Sequence, residues 1–112
     1  MEERISGKPV IHSQKFIDNR NYIYEYTFDT FGYFQAERYL SKINDSINTL
    51  PFYYHIYPEC RHLATKSRMY RNIILDAHLI IFRITSECIE VLDIIHSASS
   101  IRKIQRIRKI RL

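Results

Sequence analysis

At 112 residues, with 46% hydrophobic and 26% charged side chains and only 2 Gly and 3 Pro, the chain fits one globular domain and excludes a disordered or low-complexity segment. A domain of this size folds without disulfide staples, so the 2 cysteines, Cys60 and Cys88, read as free thiols of a reducing cytoplasm. The net charge of +5 is not spread evenly: IRKIQRIRKIRL (101–112) holds 6 of the 17 basic residues and no acid, which leaves 11 basic against 12 acidic residues elsewhere.

The start, MEERISGKPVIH, lacks the apolar core of a secretory leader, and no apolar run approaches the ~20 residues of a membrane span. A soluble, cytoplasmic protein with no membrane partner is the expectation. KPVIH (8–12) is a short strand candidate. Ser13 can cap a helix from Gln14 to about Phe31, with Gly32 as its terminator and Ile17, Tyr24, Phe28 and Phe31 as its apolar side. A second helix follows from Tyr33 to about Leu50. Its stripe of Ala36, Tyr39, Leu40, Ile43, Ile47 and Leu50 recurs at steps of three and four, and Pro51 is expected to stop it. One glycine between the helices predicts an antiparallel hairpin.

An irregular aromatic stretch, FYYHIYPECRHLATKS, precedes three strand-like runs: RMYRNIIL (68–75), HLIIFRIT (78–85) and CIEVLDIIH (88–96). Short connections at Asp76-Ala77 and Ser86-Glu87 predict consecutive antiparallel hairpins. The expected fold is therefore α+β, in the order strand-helix-helix-strand-strand-strand, with a helical hairpin packed on a small antiparallel sheet. Residues 1–100 form the domain and 101–112 a basic C-terminal tail.

The last two strands carry apolar residues on both faces. Leu79 and Ile81 oppose Ile80, Phe82 and Ile84, and Ile89 and Val91 oppose Leu92 and Ile94. A helical hairpin covers one face only. The other must be covered by the aromatic loop, by the tail or by a partner chain. Ile101, Ile104, Ile107 and Ile110 in the tail permit a short helix. Its cations can attract phosphate or an acidic protein, or can form a solvated end.

Among groups that could carry chemistry, Arg61, Lys66, Arg68 and Arg71 supply positive charge, and His96, ending the last strand, could exchange a proton. Each has a structural alternative. His96 reads as a strand-end residue with its ring bonded to a backbone carbonyl, and Arg71 as an edge arginine in a salt bridge. His55, Cys60 and His62 resemble soft metal ligands, but a fourth at standard spacing is missing, so neither metal nor other cofactor is expected. Tyr53, Tyr54 and Tyr57 could stack on a partner or cover the sheet.

Taken together, YFQAERYLSKINDSINTLP followed by YRNIILDAHLIIFRITSECIEVLDIIH resembles the ParE/RelE superfamily of bacterial type II toxin–antitoxin toxins. The likeness covers about residues 8 to 100. It rests on the second helix, the Tyr57-Pro58 loop, Arg71 opening the sheet, and a final strand ending at His96. The resemblance implies a small toxin neutralised by a cognate antitoxin, as a homodimer or a toxin–antitoxin hetero-oligomer. RelE-like members cleave messenger RNA on the ribosome, whereas ParE-like members inhibit DNA gyrase by binding it. Nuclease members often carry a tyrosine, or a tyrosine–histidine pair, at the end of the last strand, and many relatives carry an arginine just after the histidine. Here Ser97, Ala98, Ser99 and Ser100 follow His96. A ParE-like binding toxin is therefore the expectation, with Tyr57 and Arg71 in the domain and Arg102, Lys103 and Arg106 in the basic tail, beyond the likeness, as partner-binding residues. The RelE-like endoribonuclease is the alternative.

Overall fold

Ser13 ties the start of the first helix to the sheet. Its hydroxyl accepts from the Phe16 N–H at 3.0 Å and donates to the Leu92 carbonyl at 2.5 Å, while its own N–H donates to Val91 at 2.9 Å. These contacts come from a computed structural model that describes residues 7–112. The leader reading and the start of the 1–100 domain rest partly on residues that lie outside the described ones.

Strand β1 (Val10–His12) leads into helix α1 (Gln14–Phe31), and Gly32, at φ 92, turns the chain into helix α2 (Tyr33–Asn48). A left-handed backbone of this kind favours glycine, and the Gly32 N–H closes α1 on the Phe28 carbonyl. The expected apolar side of α1 is corrected: Phe16 and Ile23 are buried, whereas Phe28 and Phe31 are 45% and 67% exposed. Phe28 meets the rings of Tyr24 and Tyr33 at 6.4 and 6.5 Å instead of the core, and Phe31 lines an open groove. Pro51 is corrected too. The break falls at Thr49, and Pro51 sits in the first turn of a short helix α3 (Leu50–Tyr53), where its missing N–H costs no bond.

Strands β2 (Tyr70–Ile74), β3 (His78–Ile84) and β4 (Ile89–His96) form the two expected antiparallel hairpins. The sheet order is β1-β4-β3-β2, with β1 running parallel to β4. The sheet is thus mixed, because α1 and α2 return the chain to the opposite edge. The long β4 is central.

A bulge shifts the β3–β4 register: Ile81 pairs with Asp93 and Phe82 with Val91, leaving Leu92 as the extra residue. That one residue changes which side chains share a face. Ile94 joins Ile89 and Val91 in the core under the helical hairpin, and Ile95 joins Leu92 on the other side. The strict alternation expected for β4, with Leu92 and Ile94 together, is corrected accordingly.

The second face is covered from within the chain. Leu92, Ile95, Ile81 and Tyr70 pack against Cys60 and Leu63 from the aromatic loop and against Ile104 and Ile107 from the tail. The tail forms helix α4 (Ile101–Gln105), capped by Ser100, and a 3-10 turn (Arg106–Lys109). Ile104 is 5% and Ile107 2% exposed. The tail's apolar face therefore belongs to the core, and the two-faced strands require no partner chain there. Arg83 fastens its far end, donating to Glu90 at 2.7 Å and to the Ile110 carbonyl at 3.2 Å. Burial lowers the Arg83 pKa, but hydrogen bonds to Glu90 and Tyr70 more than offset it.

Candidate interaction surfaces and the fate of the catalytic candidates

The β3–β4 ladder brings His78 opposite His96 at the end of the sheet, and α2 places Tyr39 above them. The Tyr39 hydroxyl and His78 Nδ1 lie 2.6 Å apart, and the two imidazoles meet edge to face at 5.7 Å. Burial, then the neighbouring His96, holds the His78 pKa below its ordinary value. Burial, then the Asp76 carboxylate, raises that of Tyr39. The cluster borders a groove of about 690 Å³ running from α1 to the β2–β3 turn, with Tyr22, Tyr26, Phe31 and Lys103 also on its walls.

His96 itself is exposed, and its Nδ1 accepts the Ala98 N–H at 3.0 Å. The expected carbonyl partner is corrected: a ring nitrogen that accepts from an amide is unprotonated, so the neutral ring carries its hydrogen on Nε2. The turn after β4 folds back on the ring, which is why an N–H rather than a C=O reaches it.

Arg71 stands elsewhere. Its Nε donates to the Arg68 carbonyl at 2.8 Å, and its Nη1 to the His55 and Tyr57 carbonyls at 3.1 and 2.8 Å. The alternative of an edge salt bridge is corrected: the guanidinium braces the aromatic loop through three carbonyls, and among the described residues it makes no ion pair. Arg71 pairs with Phe82, four positions along β3 from the His78–His96 end. At ~3.4 Å per residue and ~4.8 Å per strand, the Cα atoms of Arg71 and His96 are about 17 Å apart.

Of the other candidates, Arg61 and Lys66 are exposed on the loop, and Arg68 is exposed at φ 56, 3.9 Å from Glu59. Tyr57 is half-buried, its ring edge-on to Phe82 and its hydroxyl 2.6 Å from Thr49 Oγ1. Arg102, Lys103 and Arg106 are exposed on the outer side of the tail, which packs beside the Arg61–Leu63 turn. Tyr70, on the tail side of β2, alternates with Arg71, which shares its parity with Ile73 and Leu75 under the helices. The tail and Arg71 therefore occupy opposite faces of the sheet and form no single charged surface. Among the described residues no three His, Cys, Asp or Glu side chains converge as metal ligands. No described helix is long and apolar enough to cross a membrane.

Residues 10–101 match the family described as the ParE toxin of the type II toxin–antitoxin system parDE. The chain belongs to the ParE toxin family. The match ends at Ile101, where the basic tail begins. A solved structure, the chromosomal ParDE TA system from P. aeruginosa, shares the fold with a TM-score of 0.66 at 15% identity. The likeness spans 80% of this chain and 95% of that one. The comparison with curated proteins finds no match.

Sequence reasoning passed over two groups of this ParE-family toxin. Tyr39 was read only as part of the α2 stripe and His78 only as the start of a strand, although antiparallel pairing of HLIIFRI with CIEVLDIIH brings the starting and ending histidines together. Asp93 went unnoticed. It is 1% exposed, accepting from Asn19 Nδ2 at 2.6 Å and from the Ile94 N–H at 2.8 Å. Its signal was a lone acid within an apolar run.

Proposed function

We propose that this type II toxin acts by binding, with DNA gyrase as its target and a cognate antitoxin as its restraint, in the cytoplasm. The observation that carries the reading is the strand register, which sets Arg71 beside Phe82, four positions along β3 from the His78–His96 pair. Phosphoryl transfer needs a proton donor or acceptor and charge-stabilising cations within hydrogen-bond reach of one phosphate. Here ideal strand spacings put the Cα atoms of the candidate acid–base residue and the anchored arginine about 17 Å apart. Arg71 is also committed to three backbone carbonyls.

Partner contact falls to exposed groups. Arg102, Lys103 and Arg106 stand on a tail clamped to the sheet by Ile104 and Ile107, so they offer charge at little entropic cost. Tyr57 and Arg71 contribute by holding the loop in shape.

Purified toxin added to a gyrase supercoiling reaction is expected to inhibit it, and stoichiometric antitoxin to relieve the inhibition. His96→Ala is expected to leave the inhibition largely intact. Cleavage of ribosome-bound messenger RNA, abolished by His96→Ala or Arg71→Ala and without effect on gyrase, would establish the RelE-like alternative.

A further inference from the structure

Arg71 uses its Nε and Nη1 on carbonyls, and among the described residues nothing engages its Nη2. The guanidinium is half-buried, and among the described residues it has no carboxylate partner. Beside it lies a second, smaller hollow of about 430 Å³, away from the His78–His96 end of the sheet, also lined by His55, Ser67, Arg68, Thr85 and Ser86.

Tyr54, Met69 and Ile84 complete the lining, and the polar groups around them share one chemistry. Lys8 reaches its rim, with its ammonium donating to the Thr85 carbonyl and lying 5.2 Å from the Tyr54 ring centroid. Lys8, Arg68 and Arg71 supply three cations. The facing carboxylates are few: Glu59 stands 3.9 Å from Arg68 and also accepts from the Thr65 N–H, and Glu87 follows Ser86 in the exposed turn. Ser67 and Ser86 add hydroxyl donors.

We infer that this hollow binds a phosphate group, with Arg71 as its fixed donor, Arg68 and Lys8 as flanking charges, and Ser67 and Ser86 as hydroxyl donors. Three carbonyls hold Arg71 in one orientation, so little freedom remains to be lost when an oxyanion meets Nη2. His96 lies at the other end of the sheet and takes no part in this site. The inference goes beyond the gyrase reading and does not depend on it.

The test is an amide-resolved NMR titration of the full chain with inorganic phosphate, a 5′-mononucleotide and a short single-stranded oligonucleotide. Shifts are expected at Ser67, Arg68, Arg71, Thr85 and Ser86, with a weakening of about tenfold or more in Arg68→Asn and Arg71→Gln. Asparagine tolerates the left-handed backbone at position 68, so Arg68→Asn removes charge without strain and decides the matter should Arg71→Gln fail to fold. Equal affinity for phosphate and mononucleotide would support the site with a free anion as its source. Tighter oligonucleotide binding through the same amides would support it with nucleic acid as the source. Shifts confined to residues 102–111, no shift at millimolar ligand, or wild-type affinity in Arg68→Asn would overturn it.

Discussion

His78 and His96 face each other across the β3–β4 ladder, their ring centroids 5.7 Å apart and their planes inclined at 75°. His78 is the more enclosed, and burial, then His96, holds its pKa below the ordinary 6.5. The unfolded chain therefore takes up this proton more readily than the folded one. Stability is fully present above that value and is lost as pH falls through it towards the folded-state pKa. Urea midpoints are expected to fall from about pH 7 to about pH 5, and His78→Gln to flatten that slope. An unchanged slope in the variant would assign the loss to other groups.

Asp93 carries the opposite sign. Burial raises its pKa, and the bonds from Asn19 and Ile94 offset only part of that effect. A raised carboxylate destabilises the fold above its folded-state pKa and is neutral in effect below the ordinary 3.8. Asp93→Asn keeps an acceptor for both donors and removes the charge. It is expected to stabilise the protein at neutral pH by on the order of 1 kcal/mol, with the gain vanishing in strong acid. Denaturant melts of both proteins at the two pH values measure this directly.

The tail separates packing from charge. Ile107→Ala and Ile104→Ala are each expected to cost about 2–4 kcal/mol, since both side chains fill the second layer. Deleting residues 102–112 is expected to abolish cooperative unfolding, because Leu92, Ile95 and Leu63 lose their cover. Arg102→Gln, Lys103→Gln and Arg106→Gln together are expected to leave the melting curve almost unmoved. If the tail meets the antitoxin or the target, the same triple variant weakens that binding mainly at low salt. Titrations at two ionic strengths read the difference.

Tyr57→Phe tests whether this residue acts through the fold. Its hydroxyl meets Thr49 Oγ1 at 2.6 Å, and Thr49 keeps its own bond to the Ser46 carbonyl. The variant is expected to lose about 1 kcal/mol in stability and little gyrase inhibition. A large loss of inhibition with unchanged stability would instead make the hydroxyl a direct contact.

Local rules were enough for the elements. Ser13 and Gly32 bound α1 because capping and a left-handed turn depend only on neighbouring residues. The stripe on α2 and the two hairpins were readable for the same reason, as was the order that led to the toxin family. The Leu92 bulge was not, because the choice between two registers is made by what packs on each face, and it moved Ile94 from one core to the other. The second sheet face was legible as apolar, but its cover was not: loop, tail and partner all satisfied the same pattern. Only the packed chain brings Ile104 and Ile107 onto Leu92 and Ile95. Arg71 and His96 were both visible as chemically able residues. Tertiary structure put them at opposite ends of the sheet, since strand order and register set distances that composition and spacing along the chain do not contain.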